Sequence, residues 1–113
     1  MKKDNRIFLH HILECIDKIE EFTNRISEDE FMKSVQIQDA VIRRLEIIGE
    51  ATKNLSADFR KKHSNIPWEQ MARMRDKLIH GYFGVDLMTV WEVVEEDLPE
   101  LKKKINKLLS DSI

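Results

Sequence analysis

Apolar residues recur along the chain at spacings of three and four, the period of a helix with one buried face. The first stripe joins Phe8, Ile12, Cys15, Ile16, Ile19, Phe22 and Ile26. The second joins Phe31, Val35, Ile37, Val41, Leu45, Ile48, Thr52 and Leu55. A third occupies residues 67–83, and a fourth joins Leu87, Val90, Trp91, Val94, Leu98, Leu101, Ile105 and Leu108. No segment has convincing period-two alternation, and there is no internal repeat or low-complexity tract. The pattern predicts an all-α, up-and-down bundle of four long helices, with room for a short one in "SADFRKKHSN" (56–65).

The polar residues between the stripes supply the punctuation. "SEDE" (27–30) has the form of a capping box, Ser27 as N-cap and Glu30 reaching back to its amide. Pro67 stands where a helix starts well. Gly81 and Gly84 bracket Tyr82 and Phe83 and end the third helix. Asp86 suits the N-cap of the last helix. Pro99 lies inside that helix and should kink it, although the stripe keeps its phase across the proline.

At 113 residues the chain is long enough for one core, so 1–113 reads as a single domain. It has no apolar run of membrane-spanning length and no signal-peptide pattern, which makes the cytoplasm the default compartment. Its one cysteine, Cys15, falls on an apolar stripe and reads as packing rather than a reactive thiol. The net charge of −2 argues against a general nucleic-acid binder, but the charge is unevenly spread. Residues 60–80 hold six basic and two acidic side chains, the one net-basic stretch. Such a patch fits a phosphate-bearing partner, while "RKKH" (60–63) also fits a solvated turn.

Within "PWEQMARMRDKLIHGYF" (67–83), residues set about 100° apart gather Trp68, Met71, Ala72, Leu78, Ile79 and Tyr82 on one side. Arg75 falls in the middle of that oily side, and His80 roughly 140° away from it. Arg75 is either buried and paired with Asp39, Glu46 or Glu50, or it lines a cleft where its planar fork can grip a phosphate. His80 either caps the helix end or serves as an acid–base group. Tyr82 is either an edge-of-core residue or part of the same site. Other chemistries find no foothold. There is no Gly-rich phosphate loop, no H-E-x-x-H and no C-x-x-C. His10, His11, His63 and His80 lack a metal-ligand spacing.

"RDKLIHGY" (75–82) fulfils the pattern R-x(4)-H-x-Y. It is preceded by "IPWEQMARM" and "DAVIRRLEIIGEATKNLS" (39–56), and followed by "FGVDLMTVWEVVEEDLPELKKKI". Over nearly its whole length the chain resembles the HepT-like family of HEPN-domain proteins, the RNase toxins of prokaryotic HepT–MntA (type VII) toxin–antitoxin pairs. Arg73 departs from the small residue expected there. The resemblance implies a helical homodimer, or a higher assembly of dimers, with both motifs facing one cleft. It further implies a metal-independent ribonuclease that needs no cofactor. By that analogy His80 would be the acid–base residue and Arg75 would hold the scissile phosphate. Asp76 would orient His80 from one turn away. Tyr82 would accept AMP from a cognate MntA-like nucleotidyltransferase, the antitoxin.

Two other readings differ in kind. HEPN-type bundles also resemble non-catalytic, nucleotide- or substrate-binding subunits of two-component nucleotidyltransferases, in which Arg75 would bind without cutting. A purely structural docking protein would keep Arg75 in a buried ion pair.

Overall fold

α1 (Lys3–Thr23) and α3 (Val35–Asn54) pack lengthwise, and α5 (Trp68–His80) lies along another side of α3. α7 (Leu98–Asp111) closes against α1. Three shorter helices, α2 (Glu28–Lys33), α4 (Ala57–Lys62) and α6 (Leu87–Glu92), fill the connections. The structure is a computed structural model that describes residues 3–80 and 86–111; the side chains of 3, 4 and 75–80 fall outside that description. The fold is all-α, as the periodicity predicts, with no strand among the described residues. None of the described helices is long and apolar enough to cross a membrane.

One buried cluster unites the stripes. Ile12, Ile16 and Ile19 of α1 meet Val41, Leu45 and Ile48 of α3, with Leu101 and Ile105 of α7. The first stripe is turned slightly from its predicted setting, since Leu9 is fully buried while Phe8 is only partly so. Burying such side chains contributes roughly 1.5–3 kcal/mol each.

The second predicted helix is in fact two. Ser34 adopts extended backbone, φ −109° and ψ 100°, and serves as both C-cap of α2 and N-cap of α3. Its hydroxyl accepts the amide of Ile37 at 3.2 Å. The break places Val35 in the first turn of α3, where it is 67% exposed rather than part of the stripe. A helix ending inside a core must still satisfy its last carbonyls. Gln38 does this, donating from Nε2 to the carbonyls of Phe31 at 2.9 Å and Met32 at 3.0 Å.

The expected caps are present elsewhere. Ser27 and Glu30 form the reciprocal capping box. Asp86 accepts from the amide of Met88 and the hydroxyl of Thr89, each at 3.0 Å. Pro67 precedes α5, its carbonyl accepting from Met71. The interruption expected at Pro99 takes the form of a π turn over Val93–Asp97. Pro99 has no amide to offer the carbonyl of Glu95, and its ring would press on that oxygen in a regular helix. The wider turn bonds Leu98 N–H to the carbonyl of Val93. It buries both Val93 and Val94 and leaves Leu98, Leu101, Ile105 and Leu108 in phase.

Replacing Gln38 with Met keeps most of the volume and removes both bonds to the end of α2. Urea unfolding should show a loss of about 1–3 kcal/mol. An unchanged midpoint would mean that Gln38 does not hold the α2–α3 junction.

Candidate active site

The site predicted from the sequence rides on α5, and the helix is seated from its first turn. Trp68 is buried and its indole N–H donates to the carbonyl of His63 at 2.9 Å. Ala72 is buried, and Met71 and Met74 pack against the core cluster. Met71 and Met74 share a cavity of about 150 Å³ with Leu45 and Ile48 of α3 and Leu98 and Leu101 of α7. That contact fixes the rotation of α5 about its own axis.

The backbone of α5 stays helical through His80. Arg75 and His80 are therefore separated by about 7.5 Å along the axis and by roughly 140° around it. Asp76 and His80 stand one turn apart on the same face. Position 75 follows Met71 and Ala72 by one turn, so the register keeps it beside the packed side of the helix. The side chains of Arg75, Asp76 and His80 lie outside the described portion, as do Gly81, Tyr82 and Gly84 entirely. The suggested acidic partners of Arg75 are on α3. Glu46 and Glu50 line a cleft with Phe8 and His11 of α1, and Glu46 pairs with Arg43 at 3.6 Å. Asp39 is exposed.

Arg73 does not disturb the packing. It is exposed and bonded to Glu69 at 3.0 Å one turn earlier, so it adds little net charge to the patch. His10 and His11 are exposed on α1. Among the described residues no group of three His, Cys, Asp or Glu side chains is placed to hold a metal ion.

Cys15 is buried, as its stripe predicts. Burial pushes its thiol above the ordinary range, and the Arg44 guanidinium, 4.0 Å from Sγ, only partly opposes this. The His63 ring packs at a tilt of 50° against Phe59, with ring centroids 4.6 Å apart. Burial, and then the charge of Lys62, holds its imidazole below the usual value.

The basic run at 60–63 has company that its sequence neighbourhood does not reveal. Lys62 and His63 line a groove with Lys104 and Lys107 of α7, which belong to a net-acidic stretch of the chain. Their three-residue spacing, which puts two lysines on one helix face, is the local signal that could have found them.

Comparison with known proteins adds a family. The family model described as "Ribonuclease HepT-like" matches residues 12–108, a span that contains the whole of R-x(4)-H-x-Y. A protein of Thermococcus cleftensis named "Probable ribonuclease HepT" is 54% identical over 108 residues, covering 96% of this chain and 98% of its own. A "Putative RNase" of Caldanaerobacter subterraneus subsp. tengcongensis is 46% identical over 107 residues, 95% of this chain and 96% of its own. A "Gamma-glutamylcyclotransferase and putative RNase" of Methanocaldococcus jannaschii is 56% identical over 111 residues. This chain spans 50% of that protein's length. No solved structure matches significantly.

Two solution properties follow from the buried groups. Iodoacetamide at mildly alkaline pH should alkylate Cys15 at least about tenfold more slowly in the folded protein than in urea; equal rates would contradict its burial. A depressed His63 favours the neutral folded form, so its contribution is complete above the unfolded value of about 6.5. That contribution is lost as pH falls through the lower folded value. Unfolding measured across this window should show wild type losing more stability on acidification than His63→Gln. Parallel losses would place the imidazole in open solvent.

Proposed function

The chain belongs to the HepT-like ribonuclease family, and on that basis we propose that it is a metal-independent RNA endonuclease, the toxin of a toxin–antitoxin pair. The observation that carries this is R-x(4)-H-x-Y lying within the matched span, with its arginine and histidine positions on a helix seated against the core.

Cleavage would use the RNA's own 2′-hydroxyl. Its oxygen attacks the adjacent phosphorus, the bond to the 5′-oxygen breaks, and a 2′,3′-cyclic phosphate and a 5′-hydroxyl result. One proton must leave the attacking oxygen and another must reach the leaving oxygen. A single chain offers one suitably placed histidine. A two-fold dimer brings two copies of His80, and two of Arg75, to one cleft. His80 is the acid–base group, held by Asp76 one turn away. Arg75 binds the scissile phosphate and stabilises the charge that grows on it. This accounts for a permanent charge on an apolar stripe, because part of that stripe faces the partner protomer rather than the core.

Tyr82 is the point of control. A cognate MntA-like nucleotidyltransferase, the antitoxin, joins the tyrosine oxygen to the α-phosphorus of a nucleoside triphosphate and releases pyrophosphate. The attached AMP carries a negative charge and a bulky nucleoside two residues beyond His80. It competes with RNA for Arg75 and fills the cleft. The protein acts in the cytoplasm on RNA and requires no cofactor.

Cleavage of labelled RNA in EDTA, with protein shown by intact mass to be free of AMP, tests the reading. Wild type should cut, and His80→Ala should be slower by about 10²–10⁴-fold while still binding RNA. Arg75→Ala should lose about 10²–10³-fold. An unmodified, dimeric wild type that binds RNA without cutting it would instead mark a binding subunit of a nucleotidyltransferase.

A further inference from the structure

We propose that the groove between α4 and α7 is a second RNA-binding site, which holds the strand away from the cleavage point. This role presumes the ribonuclease activity proposed above, but binding tests it separately from cleavage.

The groove has a volume of about 660 Å³ and is formed by segments distant in sequence. Lys62 and His63 contribute from the end of α4, and Lys104 and Lys107 from α7. Asn65 and Ile66 line the loop between α4 and α5. Lys104 is oriented by its bond to the carbonyl of Asn65 at 3.2 Å. Lys62 and Lys107 are exposed and form no ion pair with any described residue. Asp58 and Asp111 also line the groove, but Asp58 sits in the first turn of α4, where a carboxylate complements the helix dipole. Arg60 and Lys61 continue the positive character around the same loop, on a neighbouring concavity that shares Ile66 with the first.

Two features favour a single RNA strand as the occupant. Phe59, Ile66 and Leu108 form the buried floor of the groove, and beside the cationic side chains the half-exposed ring of His63 offers an accessible aromatic face. Lysines around one accessible ring suit a phosphate joined to a base. Position is the second feature. The groove abuts the start of α5, and the motif lies at the other end of that helix, with His80 about 18 Å from Trp68 along the axis. A strand several nucleotides long could engage both, whereas a very short one could not.

The α7 lysines are sorted by this arrangement. Lys102 turns away to Asp17 and Glu20 of α1 at 3.0 and 2.7 Å, and the two carboxylates hold its ammonium above the usual range. Lys104 and Lys107 remain on the α4 side.

The test measures binding of fluorescein-labelled, 2′-O-methylated single-stranded RNA, which cannot be cleaved through its 2′-oxygen, to the full chain. Lys62→Glu/Lys107→Glu should weaken binding of a strand of about 20 nucleotides by at least about tenfold, with little effect on one of about 4. The slope of log affinity against log salt should become shallower by about 1.4, for two lost phosphate contacts. The milder Lys62→Gln/Lys107→Gln should move both readouts in the same direction. Lys18→Glu/Lys33→Glu makes the same change in net charge elsewhere and should leave affinity within about twofold. Equal weakening by the control, no weakening by the groove variants, or no binding of the longer strand by wild type would overturn the proposal. Failure of the ribonuclease reading would appear differently: no cleavage of unmodified RNA by wild type, with the difference in binding intact.

Discussion

α3 has to be buried on two sides at once, against α1 and against α5, and the remaining helices are arranged around that requirement. Val41, Leu45, Ile48 and Thr52 are almost completely withdrawn from solvent. Thr52 is admitted to this core because its hydroxyl donates to the carbonyl of Ile48 at 2.8 Å, leaving no unsatisfied donor. The same contacts set the rotation of α5. The proposed site, carried on one helix, has its spacing from the helix itself, but its direction from whatever that helix is packed upon. Leu45 and Ile48 beneath Met71 and Met74 provide that reference.

Polar groups then decide where the elements stop. Asn5, buried near the start of α1, receives Ser56 N–H at 3.0 Å and donates to Ser56 Oγ at 3.3 Å. Ser56 also caps α4 by accepting from Phe59 N–H. One buried amide thus ties the beginning of α1 to the beginning of the basic helix. At the other end of α4, the indole of Trp68 on the carbonyl of His63 anchors the loop that leads into α5. The exposed ion pairs of Lys102 contribute little stability. Their consequence is directional, since they divide the lysines of α7 between two faces of the molecule.

The capping box at Ser27, the short helix after Ser56 and the cap at Asp86 were legible because each depends on residues three or four apart. The break at Ser34 was not. The apolar spacing runs on through it, and what makes the break tolerable is Gln38 reaching back to carbonyls six and seven residues away. Pro99 announced an interruption in the last helix. Its form as a π turn follows from burying Val93 and Val94 together while Leu98 and the residues after it keep facing the core.

The order Arg75, Asp76, His80 is a property of the sequence alone. Once α5 forms, its pitch dictates how far apart these positions stand, whatever else the chain does. Cys15 was likewise assignable to the core from the period of its stripe. The groove beside α4 is of another kind. Lys62 and Lys107 are remote along the chain, and each reads locally as an ordinary solvated charge. They become neighbours only because α1, α3 and α7 bury one common apolar cluster, which brings the lysine-bearing face of α7 alongside α4. Periodicity reports which side of each helix is apolar; which helices share a core is settled by long-range packing, and with it where separate charges meet.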